Sequence, residues 1–141
     1  MLYESLFVGE GDAPLPQNVV EKPEVARYVA GWGRDGDVGF IAVEGAIKLR
    51  VGAVWVRIVP GGYGFVDAAT PELGIAVARA CRGRGIGTML IERALAECRA
   101  RYAAVSLSVS LGNRAIHLYE RLGFRVVRRS GTSMTMRKSL S

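Results

Sequence analysis

The seven residues Arg82-Gly83-Arg84-Gly85-Ile86-Gly87-Thr88 carry the strongest chemical signal in the chain. They follow an apolar run and open a long amphipathic one. A glycine-rich turn between a strand and a helix presents backbone N–H groups to an anion, and the helix macrodipole adds to the attraction. The turn departs from a dinucleotide fingerprint. Gly83 and Gly85 fit G-x-G-x-x-G, but Thr88 takes the third glycine's place, and no acidic residue stands where a ribose would want one. No lysine follows the glycines, so it is not a Walker loop either. What remains is R-x-x-G-x-G, built from Arg82, Gly85 and Gly87. Taken alone, this is either an anion cradle or a set of glycines that ease helix–strand packing.

A second constellation, Asn113-Arg114-Ala115-Ile116-His117-Leu118-Tyr119-Glu120-Arg121-Leu122-Gly123-Phe124, lies one strand further on. Together, in this order and with a strand between them, the two motifs resemble the GNAT superfamily of acyltransferases. The resemblance is strong from Glu72 to Phe124 and holds in outline from Val38 to Met136. It implies an N-acetyltransferase that uses acetyl-CoA as acyl donor, with no metal. The acceptor would be a small-molecule or peptide amine that attacks the thioester directly in a ternary complex. A non-catalytic acetyl-CoA sensor or partner-binding module of the same fold is the alternative. In the family the glycine loop binds the pyrophosphate of CoA. The strand before the loop splays from the next, and the pantetheine arm lies in the gap.

Carried onto this chain, the resemblance gives Arg82 and Arg84 the phosphates. Gly83 joins the turn, and the amides of Arg84, Gly85, Ile86, Gly87 and Thr88 become donors. The backbone of Ile75, Val77 and Arg79 would pair with pantetheine as an added strand does. An N–H near Ile75 or Val77 would polarise the thioester carbonyl. Tyr119 matches the tyrosine that protonates, or hydrogen-bonds, the departing thiolate. A phenol with a reference pKa of ~10 holds its proton at neutral pH, as an acid must. Without the glycine loop, Tyr119 would read as a core aromatic set against Phe124. Asn113 caps its helix by its own chemistry, and the resemblance adds a pantetheine contact. His117 has no matching role and reads as a surface or packing residue.

Acetyl transfer needs a neutral amine, so a base is expected. Glu72, at the start of the central strand, resembles the family's position for a base or a water-linked carboxylate. It is equally a solvated strand-start residue. Asp67 is the weaker candidate. Arg57, Trp55 and Tyr63 either line the acceptor pocket or serve structure. Cys81 and Cys98 have no His-Asp partner in sequence, and Cys98 falls on an apolar helix face, so neither reads as a nucleophile.

These residues need elements to hold them. Pro23 starts a helix with Val25, Tyr28, Val29 and Trp32 on one face, and Gly33 stops it. Val38–Val43 and Ile47–Val59 read as strands about a turn at Gly45. In the second, Ile47, Leu49, Val51, Ala53, Trp55, Arg57 and Val59 fall on one side. Tyr63–Asp67 reads as a short extended piece and Leu73–Val77 as a clearer strand. The small residues Gly74, Ala76 and Ala78 on its other face invite close approach to the backbone. A helix is expected over Gly85–Arg101, a strand over Val105–Val109 and a short helix over Asn113–Leu122. A hairpin, Phe124–Arg129 with Thr132–Arg137, closes the chain. The fold class is α/β in three layers. By resemblance it is a mixed, mostly antiparallel sheet with helices on both faces.

The 141 residues fit one domain, read as an acceptor-side segment 1–37, strands 38–79 and an acetyl-CoA-binding half 80–141. Only a short apolar piece, Leu2–Val8, precedes the first helix, so the fold reads as shortened at the N-terminus. A bare sheet edge there invites pairing, and a homodimer is expected. A net charge of +6 suits solubility or the steering of an anion. The arginines are dispersed and form no aromatic-basic stripe, which argues against nucleic acid. No apolar run approaches the ~20 residues of a membrane span, and the start lacks the pattern of a secretory signal. Two cysteines without metal or redox spacing fit a cytoplasmic protein with reduced thiols.

Overall fold

Alternating β-branched residues and well-placed glycines divide the chain into strands and turns. The computed structural model describes residues 26–141. The apolar opening piece, the Gly/Pro loop and the start of the expected first helix lie outside them. Six strands form one sheet: β1 (Val38–Glu44), β2 (Leu49–Arg57), β3 (Glu72–Val77), β4 (Ala104–Ser110), β5 (Arg125–Ser130) and β6 (Ser133–Ser139). Helix α1 (Ile86–Cys98) connects β3 to β4, and α2 (Ala115–Arg121) connects β4 to β5. The strand order is β1-β2-β3-β4-β6-β5. Every neighbouring pair is antiparallel except β3 and β4, which run parallel across the α1 crossover.

The main core lies between the sheet and the helices. Helix α1 buries Leu90, Ile91, Ala94, Leu95 and Cys98, the apolar stripe expected from its spacing. These pack with Val54, Val56, Leu73, Val105, Leu107 and Met136 of the sheet. Burying one such large side chain contributes about 1.5–3 kcal/mol. The helix proper ends at Cys98, short of the expected Arg101. The amides of Arg101 and Tyr102 both bond to the Cys98 carbonyl in a closing turn.

Strand β2 is buried on both faces rather than one. Val54 and Val56 join the main core, while Ala53 and Trp55 meet Ala76 and Val29 on the other side. It begins at Leu49 because Gly45 (φ 76) and Lys48 (φ 53) form the preceding turn. Tyr63–Asp67 is not extended. Gly62 bonds back to Val59 and Phe65 to Gly62, so this stretch turns over β4 instead. The second face also carries the segment from Ala26. Ala30 N–H donates to the Ala26 carbonyl in a helical turn (2.8 Å), and the chain leaves that turn at Gly31 (φ 60) rather than Gly33. The reason is Arg57, whose guanidinium donates to the carbonyls of Arg27 and Ala30.

Candidate active site

The sheet splits at its centre. Strands β3 and β4 share one register pair, Glu72 with Ser106, closed by Ser106 N–H donating to the Pro71 carbonyl (2.9 Å). Beyond that pair they part. Ala78 N–H donates to Val51 of β2. By alternation the amides of Ile75 and Val77 therefore point away from β2, into the opening. This is the exposed backbone edge that the resemblance assigns to pantetheine. Arg82 reaches back to it, with its Nε donating to the Val77 carbonyl (3.2 Å). Arg79 lies next along, exposed in a short 3-10 turn, Arg79–Cys81.

The glycine turn sits at the mouth of this opening. Gly83 and Gly85 both have φ 80, a backbone conformation that costs other residues about 1–2 kcal/mol. A Cβ on either would meet open space. These two glycines are therefore required by the backbone path and not by packing. Gly85 is the N-cap of α1 without a side-chain cap, and the first helical bond runs from Met89 N–H to the Gly85 carbonyl. Among the described residues nothing accepts from the amides of Gly83 through Thr88. That leaves a run of donors at a helix N-terminus. Gly87 differs: it lies inside the first helical turn, and its Cβ would make ordinary contacts at 3.7–3.8 Å with Ile75, Val77 and Leu118. Arg84 pairs with Glu44 at 3.2 Å, both half-exposed. Such an exposed pair is worth about 0–1 kcal/mol, so it holds Arg84 only weakly.

Helix α2 packs Tyr119 into the main core, and Asn113 stands just before its first turn. Tyr119 is buried, with its ring edge-on to Phe124 (centroids 6.1 Å apart). Burial alone pushes its phenol up to about 12, and no described group bonds the hydroxyl. It is thus both a core aromatic and an unengaged, firmly protonated donor. Asn113 Oδ1 accepts from Ala115 N–H (2.9 Å), the expected capping bond. His117 is exposed, 3.9 Å from Glu120.

The opposite face holds Glu72, with the residue only 4% exposed. It is not a solvated strand-start residue. Its Oε2 accepts from the Tyr28 hydroxyl (2.6 Å), and its Oε1 has no partner. Burial pushes the carboxyl up, while the Tyr28 bond and the charges of Arg27 and Arg128 pull it down. Arg57 is structural. It forms a buried pair with Asp37 (2.6 Å) and lies under Trp32. Trp55 covers Gly74, where a Cβ would collide with its indole. The small residue at Gly74 thus admits this chain's own tryptophan. Asp67 is exposed and bonds to Ala69 N–H. Tyr63 is 53% exposed and stacks on Tyr28 at 6.2 Å. Cys81 and Cys98 are buried free thiols, and burial raises Cys98 to about 11. Sequence reasoning missed Tyr28: it lies 44 residues from Glu72, and no local pattern links them.

A sheet split between its central parallel strands, with an uncapped glycine turn at the split, defines the class. The model of the acetyltransferase (GNAT) family matches residues 9–124, and the chain belongs to that family. It is therefore an acyltransferase, of a family whose acyl donor is acetyl-CoA. Solved structures agree on the fold. A Bordetella pertussis protein assigned to the GNAT family superposes with a TM-score of 0.71 at 20% identity, over 97% of this chain and 86% of that one. A chain from a NatC complex bound to Gag peptide and CoA gives 0.60 at 22% identity, over 73% and 71%. The protein PH1933 of Pyrococcus horikoshii OT3 gives 0.58 at 23% identity, over 69% of this chain and 62% of its own length. No curated protein matches the chain. No helix among the described residues is long and apolar enough to cross a membrane.

Proposed function

We propose that this protein transfers the acetyl group of acetyl-CoA to a primary amine by direct attack. The observation that carries the proposal is the uncapped turn Gly83–Thr88 opening onto the unpaired edge of β3. The turn's amides, with Arg82 and Arg84, hold the phosphates, and Ile75 and Val77 hold the pantetheine arm. The amine nitrogen forms the new bond to the acetyl carbon as the carbon–sulfur bond breaks. The sulfur takes a proton from the Tyr119 hydroxyl, and the amine gives one to Glu72, directly or through water. A carboxyl raised by burial is better matched to that task than an exposed one. The setting is cytoplasmic, in keeping with two free thiols. Homodimerisation along a sheet edge, β1 or β5, belongs to the same proposal, since neither has a further strand beside it among the described residues. Sedimentation showing only monomer at micromolar concentration would remove it.

The test is a panel of amine acceptors read by CoA release. It should include peptide N-termini, lysine side chains, polyamines, amino acids and drug-like amines. Acetylation of at least one class, dependent on acetyl-CoA, is the expected result. Tight acetyl-CoA binding with no transfer across the panel would favour a sensor instead.

A further inference from the structure

The geometry points to Tyr28 as a positioning residue for Glu72: its hydroxyl holds Oε2 and leaves Oε1 as the oxygen without a partner. The inference rests on Glu72 as the base proposed above. Tyr28 OH donates to Oε2 (2.6 Å) and accepts from Tyr63 N–H (2.8 Å). Both partners of the hydroxyl are thus fixed, one on β3 and one on the loop between β2 and β3. The ring is stacked on Tyr63, with the interplanar angle at 9°, and the Arg27 guanidinium lies 5.7 Å from its centroid. This phenol is held from three sides, so the carboxylate it grips has one orientation.

A buried carboxylate oxygen without a partner is a cost to the fold, so its retention asks for a reason. Oε1 is such an atom, and Gly62 packs directly against it, in a space that a Cβ would invade. One oxygen is thus gripped by Tyr28, and the other is buried beside Gly62 with its lone pairs unused. The carboxylate is steered by one oxygen so that the other can take a proton. The charged and titratable groups facing it are Tyr28 and Arg27 on the 26–31 turn and Arg128 on β5. Arg57 lies opposite on β2, already committed to Asp37, and the Gly64 amide faces the carboxylate outside hydrogen-bond geometry.

The bond from Tyr28 favours the charged carboxylate, so its loss raises the pH at which Glu72 ionises. In Tyr28→Phe the acid limb of the kcat–pH profile should move up by about one pH unit. Turnover on that limb should fall about tenfold, the same shift expressed as a rate. KM for acetyl-CoA should hold, and turnover above the limb should recover. Carboxyl 13C titration of Glu72 in both proteins reads the same shift without turnover. 3-Fluorotyrosine at position 28, close to isosteric and a stronger donor, should move the limb down; it also stands in if the phenylalanine variant does not fold. An acid limb unmoved in both substitutions overturns the positioning role, as does a fall in kcat that is uniform in pH. Glu72→Gln separates the two readings. If it keeps wild-type turnover and the acid limb, the base assignment fails. If it abolishes turnover while Tyr28→Phe leaves the limb in place, only the inference about Tyr28 fails.

Discussion

Tyr119 combines two properties that rarely meet in one side chain. Its ring is packed as part of the core, yet its hydroxyl has no partner among the described residues. Removing that oxygen therefore takes nothing from the fold except one polar atom. Tyr119→Phe should melt within about 0.5 kcal/mol of the parent, as substitutions that break no contact do. In the proposed chemistry the same oxygen supplies the proton for the leaving sulfur. Turnover should then fall about 10²-fold, the lower range for a positioned acid, with acetyl-CoA affinity nearly unchanged. Single-turnover kinetics beside equilibrium binding would check both halves, and unaltered chemistry would take Tyr119 out of the mechanism. The Tyr119 motif was legible in sequence because its partners are local: Asn113 caps the helix and Phe124 closes it. Gly83 and Gly85 were legible for another reason, since a left-handed backbone all but names its residue. Glu72 was half-legible. Its strand position was plain, but its burial depends on Tyr28 and Gly62, which no periodicity could bring to it.

At the scale of elements, the 26–37 segment is tied to the sheet by one residue of β2. Arg57 donates through Nε and Nη2 to Asp37, and through Nη1 to the carbonyls of Arg27 and Ala30. Those carbonyls end the helical turn that presents Tyr28 to Glu72. From sequence Gly33 reads as the stop, yet Gly31 and Gly33 both adopt positive φ. Which one ends the turn is decided by where Arg57 reaches, a contact 27 residues long in sequence. The same limit hid the meeting of Trp55 with Gly74: alternation fixes a face, but register fixes the partner. The Asp37–Arg57 pair is buried, so removing one charge strands the other. Asp37→Asn should cost about 3–5 kcal/mol in chemical denaturation. It should also weaken turnover by loosening Tyr28. The Arg57 bonds hold the Asp37 carboxyl below its ordinary range. A lowered carboxyl contributes stability above its unfolded pKa of ~3.9, and that stability is lost as pH falls through the folded value. The parent should therefore lose stability below about pH 4, and the Asn variant should lack that part of the acid dependence. Matching acid curves for the two proteins would mean that the pair contributes little.

Across the whole molecule the arginines are dispersed, and two sets of them stand at different distances from the split. Arg79, Arg82 and Arg84 are exposed beside the split in the sheet. Arg125 and Arg129 lie on β5, separated from β4 by β6, whereas Arg128 of the same strand reaches back to the Phe65 carbonyl. Two strand spacings alone place the second group ~10 Å beyond β4. That already matches the Debye length of ~10 Å at 0.1 M salt. The near group should therefore act on the phosphates of CoA directly, while the far group is largely screened. Acetyl-CoA affinity should fall several-fold between about 0.05 and 0.5 M salt, as exposed charges lose their reach. Acetyl-pantetheine has the same arm and thioester without the phosphates, and its weaker binding should be nearly flat over that range. Arg82→Gln should weaken acetyl-CoA binding and lower the slope, whereas Arg129→Gln, with the same loss of net charge, should change neither appreciably. The comparison separates a local cradle from a general field. Equal effects of the two variants would assign the attraction to net charge, and parallel salt responses of the two donors would mean that the glycine turn and its arginines do not hold the phosphates.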